Sequence, residues 1–541
     1  MKKILLLITA LALGLVILGA CGRDDDAPAG AGVGGNPPVG EWPLVNAPTI
    51  TWWQGIAGNV APNYTTRADT PHHQFLVEAT GINIEWIHPP QGQGDEIFQL
   101  MVATRDFPDI IEANWLTIYH GGPERAIEDD VILRLNDVFA SYAPHVLRFL
   151  ETERPDLGRA ARTDLGSYFV FPFVRGHFAN QVFTGPFVRS DWMDELGLSD
   201  PETVDDWEYM LTRFRDDKGA TAPFTYQWGQ RWLCPIAAAY QIRIGNNFFV
   251  HEDGTVRFGF AEPAFRDYIT RMNRWFREGL LDPDYGTALG GDIFNARVTG
   301  DHSGAAMGNI GGAIGVFMNA MADHPTFDLR PISVPVLNPG DPVRFGHADN
   351  PFPGSHSVAI TSGARDRGVV EYAARLLDFG YSPQGYLLMN FGVEGDTYTM
   401  VNGVPTYTER VTNDPRGIPL AQSIASVARA SYGGPFPQSY HYVWQFFALQ
   451  RQRDALAMWM QADSERFMLP PITFTPEEFD RVALILPDLY STAEEWHLGF
   501  LYGTIEINDA NFQQFNNILD QLGLQEVLQH HNAAVQRFRN R

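Results

Sequence analysis

The alternation of strand-like and helix-like segments in the first part of the folded chain constrains the fold most. Residues 49–53 are a β-branched and aromatic run, and residues 82–87 alternate apolar and polar side chains with period two. Residues 75–80 and 97–103 have helical spacing, and residues 109–112 form a third short apolar run. This β-α-β-α-β order predicts a mostly parallel sheet with helices on its faces. Ligands of such sheets bind beyond the carboxyl ends of the strands.

Later segments predict more strands, a crossover and a helical C-terminal part. Asp253-Gly254 lies between two apolar runs and indicates a β-hairpin. Residues 303–308 predict a strand, followed by a Gly-rich turn over 309–315 that enters a helix. Residues 331–356 are rich in proline and have little periodicity, which indicates a crossover or hinge segment. Helical patterns dominate from about residue 420 to the end.

Residues 1–20 are predicted to be a lipoprotein signal peptide. Lys2 and Lys3 precede an almost wholly apolar run, and Leu18-Gly19-Ala20-Cys21 resembles the lipobox of bacterial lipoproteins. The alternative is a transmembrane anchor, for which the run is at the short limit. The lipobox implies lipidation of Cys21 and attachment to the extracellular face of the cell membrane. Residues 21–47, rich in Gly, Pro, Ala and Asp, predict a flexible tether.

Composition excludes some classes of function. The 64 acidic residues outnumber the 39 basic ones and give a net charge of −25, which argues against a nucleic-acid binder. Only two cysteines are present, so neither a disulfide framework nor a four-cysteine zinc site is expected. One of them is Cys21, and the other, Cys234, is expected to be a small buried apolar side chain.

Five segments resemble a known family in their order and spacing. They are FQLMVATRDFPDI at 98–110, RSDWMDELGL at 189–198, WFREGLLDPD at 275–284, YSPQGYLLMNFGVEGDTY at 381–398 and LPPITFTPEE at 469–478. Together with the lipobox, they resemble the extracellular solute-binding lipoproteins of ABC importers. Within the sugar-binding family 1 group, the resemblance is greatest to the LplA-like branch of Gram-positive bacteria. The chain departs from this family in having few lysines and a more acidic composition.

The resemblance implies an α/β fold of the type II periplasmic-binding-protein class. Two lobes would be linked by a hinge around a central ligand cleft, and the second lobe would be rich in helices. Residues 48–165 and 350–410 would form the first lobe, and residues 170–345 and 415–541 the second. The implied function is capture of an oligosaccharide or related polar solute by hinge closure, and its delivery to ABC permease subunits. No reaction and no cofactor are implied.

Aromatic and polar side chains near the predicted strand ends are the candidate ligand-binding residues. Sugar rings stack their C–H faces on aromatic rings, and their hydroxyls need polar partners. Trp52 and Trp53 point to opposite faces of one strand, so at most one of them can face the cleft. Core packing is the alternative for the aromatic residues of 224–232, and it is favoured for Trp444. The candidates are Trp53, Gln54, Trp115, Tyr226, Trp228, Trp232, Asn309, Asp349 and Trp444.

No metal or nucleotide site is predicted. His72-His73 and His530-His531 are adjacent pairs that do not share a face, so solvated histidines are expected. Related alginate-binding proteins hold calcium in an Asp/Asn-rich loop, but Asp282-Pro283-Asp284 is only a fragment of such a motif. The Gly-rich run at 308–315 lacks the Lys-Ser/Thr of a phosphate-binding loop.

The main alternative function is a surface lipoprotein enzyme that degrades glycans. It requires two carboxylates about 5–10 Å apart across a cleft. Acidic pairs such as Glu394 and Asp396 are too common here to indicate one, and no G-x-S-x-G motif is present. A glycan sensor or adhesin with the same fold is a further alternative. The sequence favours a binding protein over an enzyme.

Overall fold

Two separate four-stranded sheets organise the molecule. The computed structural model describes residues 36–227, 234–245, 248–286, 291–430 and 433–541. Its strands are β1 (Ile50–Trp53), β2 (Ile84–Ile87), β3 (Ile110–Ala113), β4 (Thr184–Arg189), β5 (Phe224–Thr225), β6 (Phe248–Val250), β7 (Val256–Phe258), β8 (Ala305–Asn309), β9 (Leu329–Pro331), β10 (Ser357–Ile360), β11 (Tyr398–Val401) and β12 (Val404–Tyr407).

Helices account for most of the remaining structure. Those before residue 300 are α1 (Pro71–Thr80), α2 (Gly94–Thr104), α3 (Gly122–Glu128), α4 (Asn136–Tyr142), α5 (Pro144–Arg148), α6 (Pro155–Ala160), α7 (Ser190–Glu195), α8 (Val204–Lys218), α9 (Pro235–Ala239), α10 (Ala264–Arg277) and α11 (Gly291–Thr299). Those after it are α12 (Val316–Ala320), α13 (Ser362–Asp366), α14 (Val370–Asp378), α15 (Pro383–Phe391), α16 (Glu409–Thr412), α17 (Leu420–Val427), α18 (Tyr440–Phe446), α19 (Gln450–Trp459), α20 (Pro476–Tyr502), α21 (Asp509–Leu522) and α22 (Leu524–Asn540).

The sheet of the first lobe has the strand order β10-β3-β1-β2. Strand β1 is parallel to both β2 and β3, and β10 joins the edge antiparallel to β3. Thr70 caps the start of α1, and Gly81 ends it with φ 71°. A Cβ atom on Gly81 would lie 2.1 Å from the carbonyl oxygen of Leu44, so only glycine fits this turn. The predicted β-α-β-α-β order is therefore confirmed.

The sheet of the second lobe has the order β5-β8-β4-β9. Strands β5 and β8 are parallel, and β4 is antiparallel to both of its neighbours. The predicted hairpin is present as β6 and β7, with Gly254 at φ 81° in its turn. The predicted Gly-rich turn after β8 is a π-helical turn over Ile310–Gly315 that continues into α12.

Apolar clusters divide the chain into packing units. The first cluster joins residues 44–174 to residues 352–389, and the second joins residues 188–307 to residues 485–535. A third cluster packs residues 391–459 against the second sheet and the segments beside it. The hairpin β11–β12 therefore packs with the second lobe, although the predicted first-lobe segment extends to residue 410.

Three chain segments lie side by side where the two lobes join. The backbone N–H of Arg175 donates to Pro351, and the N–H of Gln438 donates to Val174, at 2.8 and 2.7 Å. The N–H of Asp349 donates to the carbonyl of Gln181 at 2.9 Å. We call residues 174–181, 349–351 and 436–438 the hinge strands. The middle one belongs to the predicted Pro-rich crossover.

The segment before β1 is docked on the first lobe. Arg375 on α14 is buried, and its Nη2 donates to the carbonyls of Pro37, Pro38 and Glu41 at 2.9 to 3.0 Å. The ring of Trp42 packs edge-on against Phe379, with centroids 5.1 Å apart. The predicted flexible tether over 21–47 is thus too long, because residues 36–47 are held by these contacts. Cys21 and the predicted signal peptide lie outside the described residues.

Two further observations concern membrane spans and the second cysteine. No helix within the described residues is both long enough and apolar enough to cross a bilayer. Cys234 is buried in the second-lobe core, as predicted, and burial raises the pKa of its thiol.

Candidate ligand-binding cleft

The first cavity lies at the carboxyl edge of the first-lobe sheet. It has a volume of about 540 Å³. Trp53 and Gln54 come from the end of β1, and residues 112–114 come from the end of β3. Because β10 runs antiparallel to β3, the residues just before it, Ser355 and His356, reach the same edge. This is where a parallel sheet is expected to present a ligand site.

The two tryptophans of β1 have different environments. Trp53 lines the first cavity, although it is only 4% exposed. Trp52 points to the other face and is fully buried, with its ring 5.0 Å from that of Trp86. The strand alternation therefore presents one of the two rings to the cavity, as the sequence predicted.

A fully buried arginine holds the floor of the first cavity. The Nη2 of Arg429 donates to Oε2 of Glu112 at 2.7 Å, and its Nη1 donates to Oε1 of Gln54 at 3.1 Å. Its Nε donates to the carbonyl of Gly433 at 3.0 Å. A buried ion pair is stable only when its remaining donors are also satisfied, and this one meets that condition.

The Glu112 carboxyl is kept ionised by its neighbours. Burial alone would raise its pKa, but the Arg429 guanidinium and the ring of His356 outweigh burial and hold the pKa below its usual value. The nearest ring nitrogen of His356 is 3.6 Å from this carboxylate. The sequence marks residue 112 as a strand end. It contains no local signal for the ion pair with Arg429, which lies 317 residues away.

Two of the four paired histidines are buried, so the prediction of solvated histidines is wrong for them. His72 is 1% exposed, and burial, followed by the charges of Arg429 and Arg67, lowers its pKa well below the usual value. Burial also lowers the pKa of His531 to about 4, and its Nδ1 lies 2.8 Å from the carbonyl of Val527. The ring of His531 packs against Phe248 and Phe474, and these contacts are distant in the sequence.

The second cavity lies at the edge of the second-lobe sheet where β8 ends, and it has a volume of about 490 Å³. Asn309 ends β8, and Phe183 precedes β4, which begins at this edge because it is antiparallel to β8. The loop after β1 contributes to both cavities, with residues 54–57 at the first and Asn59 at the second. The other side chains of interest are Arg175, Asn180, Asn319, Gln438, Tyr442, Phe446, Phe447 and Gln452.

An arginine and an aspartate form an ion pair where the second cavity meets the hinge strands. The guanidinium of Arg175 forms an ion pair with Asp349, whose other oxygen lies 3.5 Å from Nε2 of His347. Burial would raise the pKa of Asp349, but His347 and Arg175 together lower it. Asp349, a candidate ligand-binding residue, therefore binds Arg175, and it is not among the residues that line either cavity.

Known proteins are similar to this chain in sequence and in fold. No family model matches the chain. The fructooligosaccharide ABC transporter substrate-binding protein FusA of Streptococcus pneumoniae is 22% identical over 513 residues, covering 84% of each chain. The lipoprotein LipO of Bacillus subtilis is 25% identical over 238 residues, covering 41% of this chain and 45% of LipO. The crystal structure of the alginate-binding protein AlgQ2 superposes with a TM-score of 0.70 at 22% identity, covering 91% of this chain and 99% of AlgQ2.

The chain has the fold of the extracellular solute-binding proteins. A structure of FusA with kestose gives the same TM-score of 0.70, at 18% identity and 91% coverage of this chain. The predicted two-lobed α/β fold of type II is confirmed. One cavity lies at the sheet of each lobe and the loop after β1 lines both, so we call their linings the walls of the cleft between the lobes.

The solute-binding fold brings three of the candidate residues to the cleft walls. Trp53 and Gln54 line the first cavity, and Asn309 lines the second. The Oδ1 of Asn309 accepts a hydrogen bond from the hydroxyl of Thr184 on the paired strand. Trp228 and Trp232 lie outside the described residues, although β5, which precedes them, ends at the same edge as β8.

The structure places the other aromatic candidates in the packed interior. Trp115 is fully buried, and its Nε1 donates to the carbonyl of Ile111 at 3.2 Å. Tyr226 is also buried, with its ring edge-on to Tyr285 at 5.1 Å. Trp444 is half-buried against the third apolar cluster and does not line either cavity. Trp115 and Tyr226 closely follow the ends of β3 and β5, and the chain turns both rings back onto its own core.

Asp282 and Asp284, the fragment of a calcium-binding motif after α10, both contact the side chain of Arg297. The Nη2 of Arg297 donates to Asp284 at 2.7 Å, and its Nε lies 3.4 Å from Asp282. Asp282 also accepts a hydrogen bond from Thr225 at 2.7 Å. Within the described part of the chain, no group of three or more His, Cys, Asp or Glu residues could hold a metal ion.

Proposed function

We propose that this protein is the extracellular substrate-binding component of an ABC importer and captures an oligosaccharide or related polar solute. The observation that carries the proposal is a pair of cavities, one at the sheet of each lobe, in a chain with a solute-binding fold. FusA, similar along most of the chain, is named for fructooligosaccharide. Hinge closure would bring both walls onto one ligand, which would then pass to permease subunits.

Three candidate side chains carry the recognition. Trp53 offers an aromatic ring at the first cavity, which suits the apolar face of a sugar. Gln54 and Asn309 offer carboxamides on opposite walls, which suit sugar hydroxyls. A ligand that contacts both walls stabilises the closed state by its differential affinity for that state.

Attachment to the membrane is the second part of the proposal. The lipobox-like sequence ending at Cys21 supports lipidation of this cysteine on the extracellular face of the cell membrane. LipO, similar over part of the chain, is named a lipoprotein. The acidic charge of the chain argues against a nucleic-acid partner.

Glycan hydrolysis fits the cleft less well. A glycosidase needs one carboxyl with a raised pKa as general acid and a second carboxylate across the bond. Asp95 and Glu112 both line the first cavity, but Arg429 and His356 lower the pKa of Glu112, which is the opposite of what a general acid needs. None of the described residues lining the second cavity is acidic. The geometry therefore supports binding without chemistry.

Calorimetric titration of the purified protein with a panel of tri- and tetrasaccharides tests the proposal. We expect saturable binding of at least one glycan, no release of reducing ends, and weakening of about tenfold or more by Trp53→Ala. Tyr209→Ala, an exposed ring on α8 outside both cavities, is the matched control. Absence of binding across the panel, or release of reducing ends, contradicts the proposal.

A further inference from the structure

The second cavity contains buried hydrogen-bond acceptors that no described residue satisfies. Asn180 is 4% exposed and lines this cavity, and its Oδ1 accepts no hydrogen bond from any residue that the structure describes. The Oε1 of Gln438, which lines the same cavity, is buried and unpartnered in the same sense. Such atoms lose their water on burial and gain nothing in return, which is unusual in a folded protein.

The orientation of both carboxamides is fixed by their other end. The Nδ2 of Asn180 donates to the carbonyl of Gln438 at 3.0 Å, and the Nε2 of Gln438 donates to the carbonyl of Ala430 at 2.5 Å. A carbonyl only accepts, so a rotated carboxamide would face it with a second acceptor. The atoms left for a ligand are therefore two acceptors, which require a donor.

The charge of this cavity disfavours an anion. The described residues that line it include six carboxamides and one arginine, and none of them is Lys, His, Asp or Glu. The arginine is Arg175, and its charge is already balanced by Asp349. A carboxylate on the ligand would find no uncompensated cation there, and it would face the two acceptors with a third.

We propose that the second cavity binds a neutral sugar unit whose hydroxyls donate to Oδ1 of Asn180 and Oε1 of Gln438. The protein then selects neutral oligosaccharides over those built of uronic acids. The rings of Phe446 and Phe447 supply the apolar wall against which the sugar lies. This inference rests on the proposed function, since it names the chemical class of the solute.

The two acceptors also connect the ligand to the hinge. Asn180 lies on the first hinge strand and Gln438 on the third, and one hydrogen bond joins them. A sugar hydroxyl at these atoms therefore contacts the segments whose backbone angles must change when the lobes close. Binding at this point biases closure directly.

A matched ligand panel tests the inference on the purified, full-length mature protein. The neutral probes are kestose, maltotriose, cellotriose and mannotriose, and the anionic probes are trigalacturonate and trimannuronate. We expect a rise in melting temperature with at least one neutral probe and none with the uronates. Stabilisation by the uronates alone overturns the inference and leaves the proposed function standing. No response to any probe contradicts both.

Two variants locate the effect. Gln438→Leu removes one acceptor, and Asn180→Asp replaces the oriented carboxamide by a carboxylate. Each is expected to weaken binding of the neutral probe at least tenfold, with the circular dichroism of the unliganded protein unchanged. Gln461→Glu, at an exposed position just after α19 and outside both cavities, is the matched control and should bind as the parent does. Parent-like affinity in Gln438→Leu overturns the inference, and the ligand panel decides if a variant does not fold.

Discussion

At the scale of single residues, Arg429 has the most consequences. Its side chain is fully buried, and it holds Glu112 and Gln54, which both line the first cavity. Its guanidinium also lies 5.3 Å from the ring centre of Trp52. One cation therefore fixes the end of β1, the end of β3 and the segment after α17. The shape of the cavity floor depends on this arrangement.

Replacing Arg429 by methionine should destabilise the protein by about 3–5 kcal/mol, because Glu112 is then left buried without its partner. Denaturant unfolding measures this change. The double variant with Glu112→Gln should recover part of the loss, since the uncompensated charge is gone. Arg277→Met, at an exposed position at the end of α10, should change stability by no more than about 0.5 kcal/mol. Equal losses in the single and double variants would contradict this account.

At the scale of elements, the sequence patterns were sufficient to locate helices, strands and turns that neighbouring residues determine. The period-two and helical spacings located β1 to β3 and the helices between them, and Asp253-Gly254 located the β6–β7 turn. The signals failed where the determining contact is distant. Nothing near residue 42 reveals that Arg375, more than 300 residues later, holds this segment. Composition indicated a tether over residues 21–47 because Pro and Gly are frequent in this segment. Hydrogen bonds from Arg375 nevertheless dock its later part on the first lobe.

Arg375→Met should release residues 36–42 while leaving α14 folded. The substitution keeps most of the apolar stem but removes the donor to three carbonyls. Hydrogen bonds from charged donors contribute about 1.5–3 kcal/mol, so amide exchange in this segment should accelerate by about tenfold or more. Hydrogen-exchange mass spectrometry measures it. Arg365→Met, which removes only exposed ion pairs with Asp130 and Asp366, is the control. Unchanged exchange in the segment would count against the docking role of Arg375.

At the scale of the whole molecule, the lobes are also joined away from the hinge strands. Helix α22 packs in the second-lobe core through Val527 and Val535, while Phe538 near its end packs against the first-lobe core. Arg537 and Arg541 both donate to Asp164, which lies in the first-lobe part of the chain, at 2.5 to 2.9 Å. The C-terminal helix therefore restrains the angle between the lobes.

Asp164→Asn should loosen this restraint, because the carboxylate that receives both arginines loses its charge. Small-angle scattering of the ligand-free variant should show a larger radius of gyration than the parent, and saturating ligand should restore the parent value. Asp509→Asn removes an ion pair with Arg266 that lies wholly within the second lobe, so it should leave the radius unchanged. An unchanged radius in Asp164→Asn would show that the helix end does not restrain the lobes.

The residues of the cleft could be predicted from the sequence only in part, because some of them become neighbours only in the folded chain. Strand ends are visible in the sequence, so Trp53, Gln54 and Asn309 could be identified as cleft residues. Asn180 and Gln438 could not, because they become neighbours only when two hinge strands 258 residues apart align. Trp115 follows a strand end as Trp53 does, yet it turns into the core. The direction in which a side chain leaves a strand end depends on tertiary packing.

The docked segment before β1 would limit how far the folded body can move from a lipid anchor at Cys21. With residues 36–47 held on the first lobe, a lipidated Cys21 would leave only residues 22–35 between the bilayer and the folded body. Fourteen residues reach at most about 50 Å. A permease in the same membrane would have to lie within that distance of the anchor to contact the folded body. The solute would still arrive from solution in three dimensions, whereas delivery to a membrane partner would depend on lateral diffusion of the anchored protein.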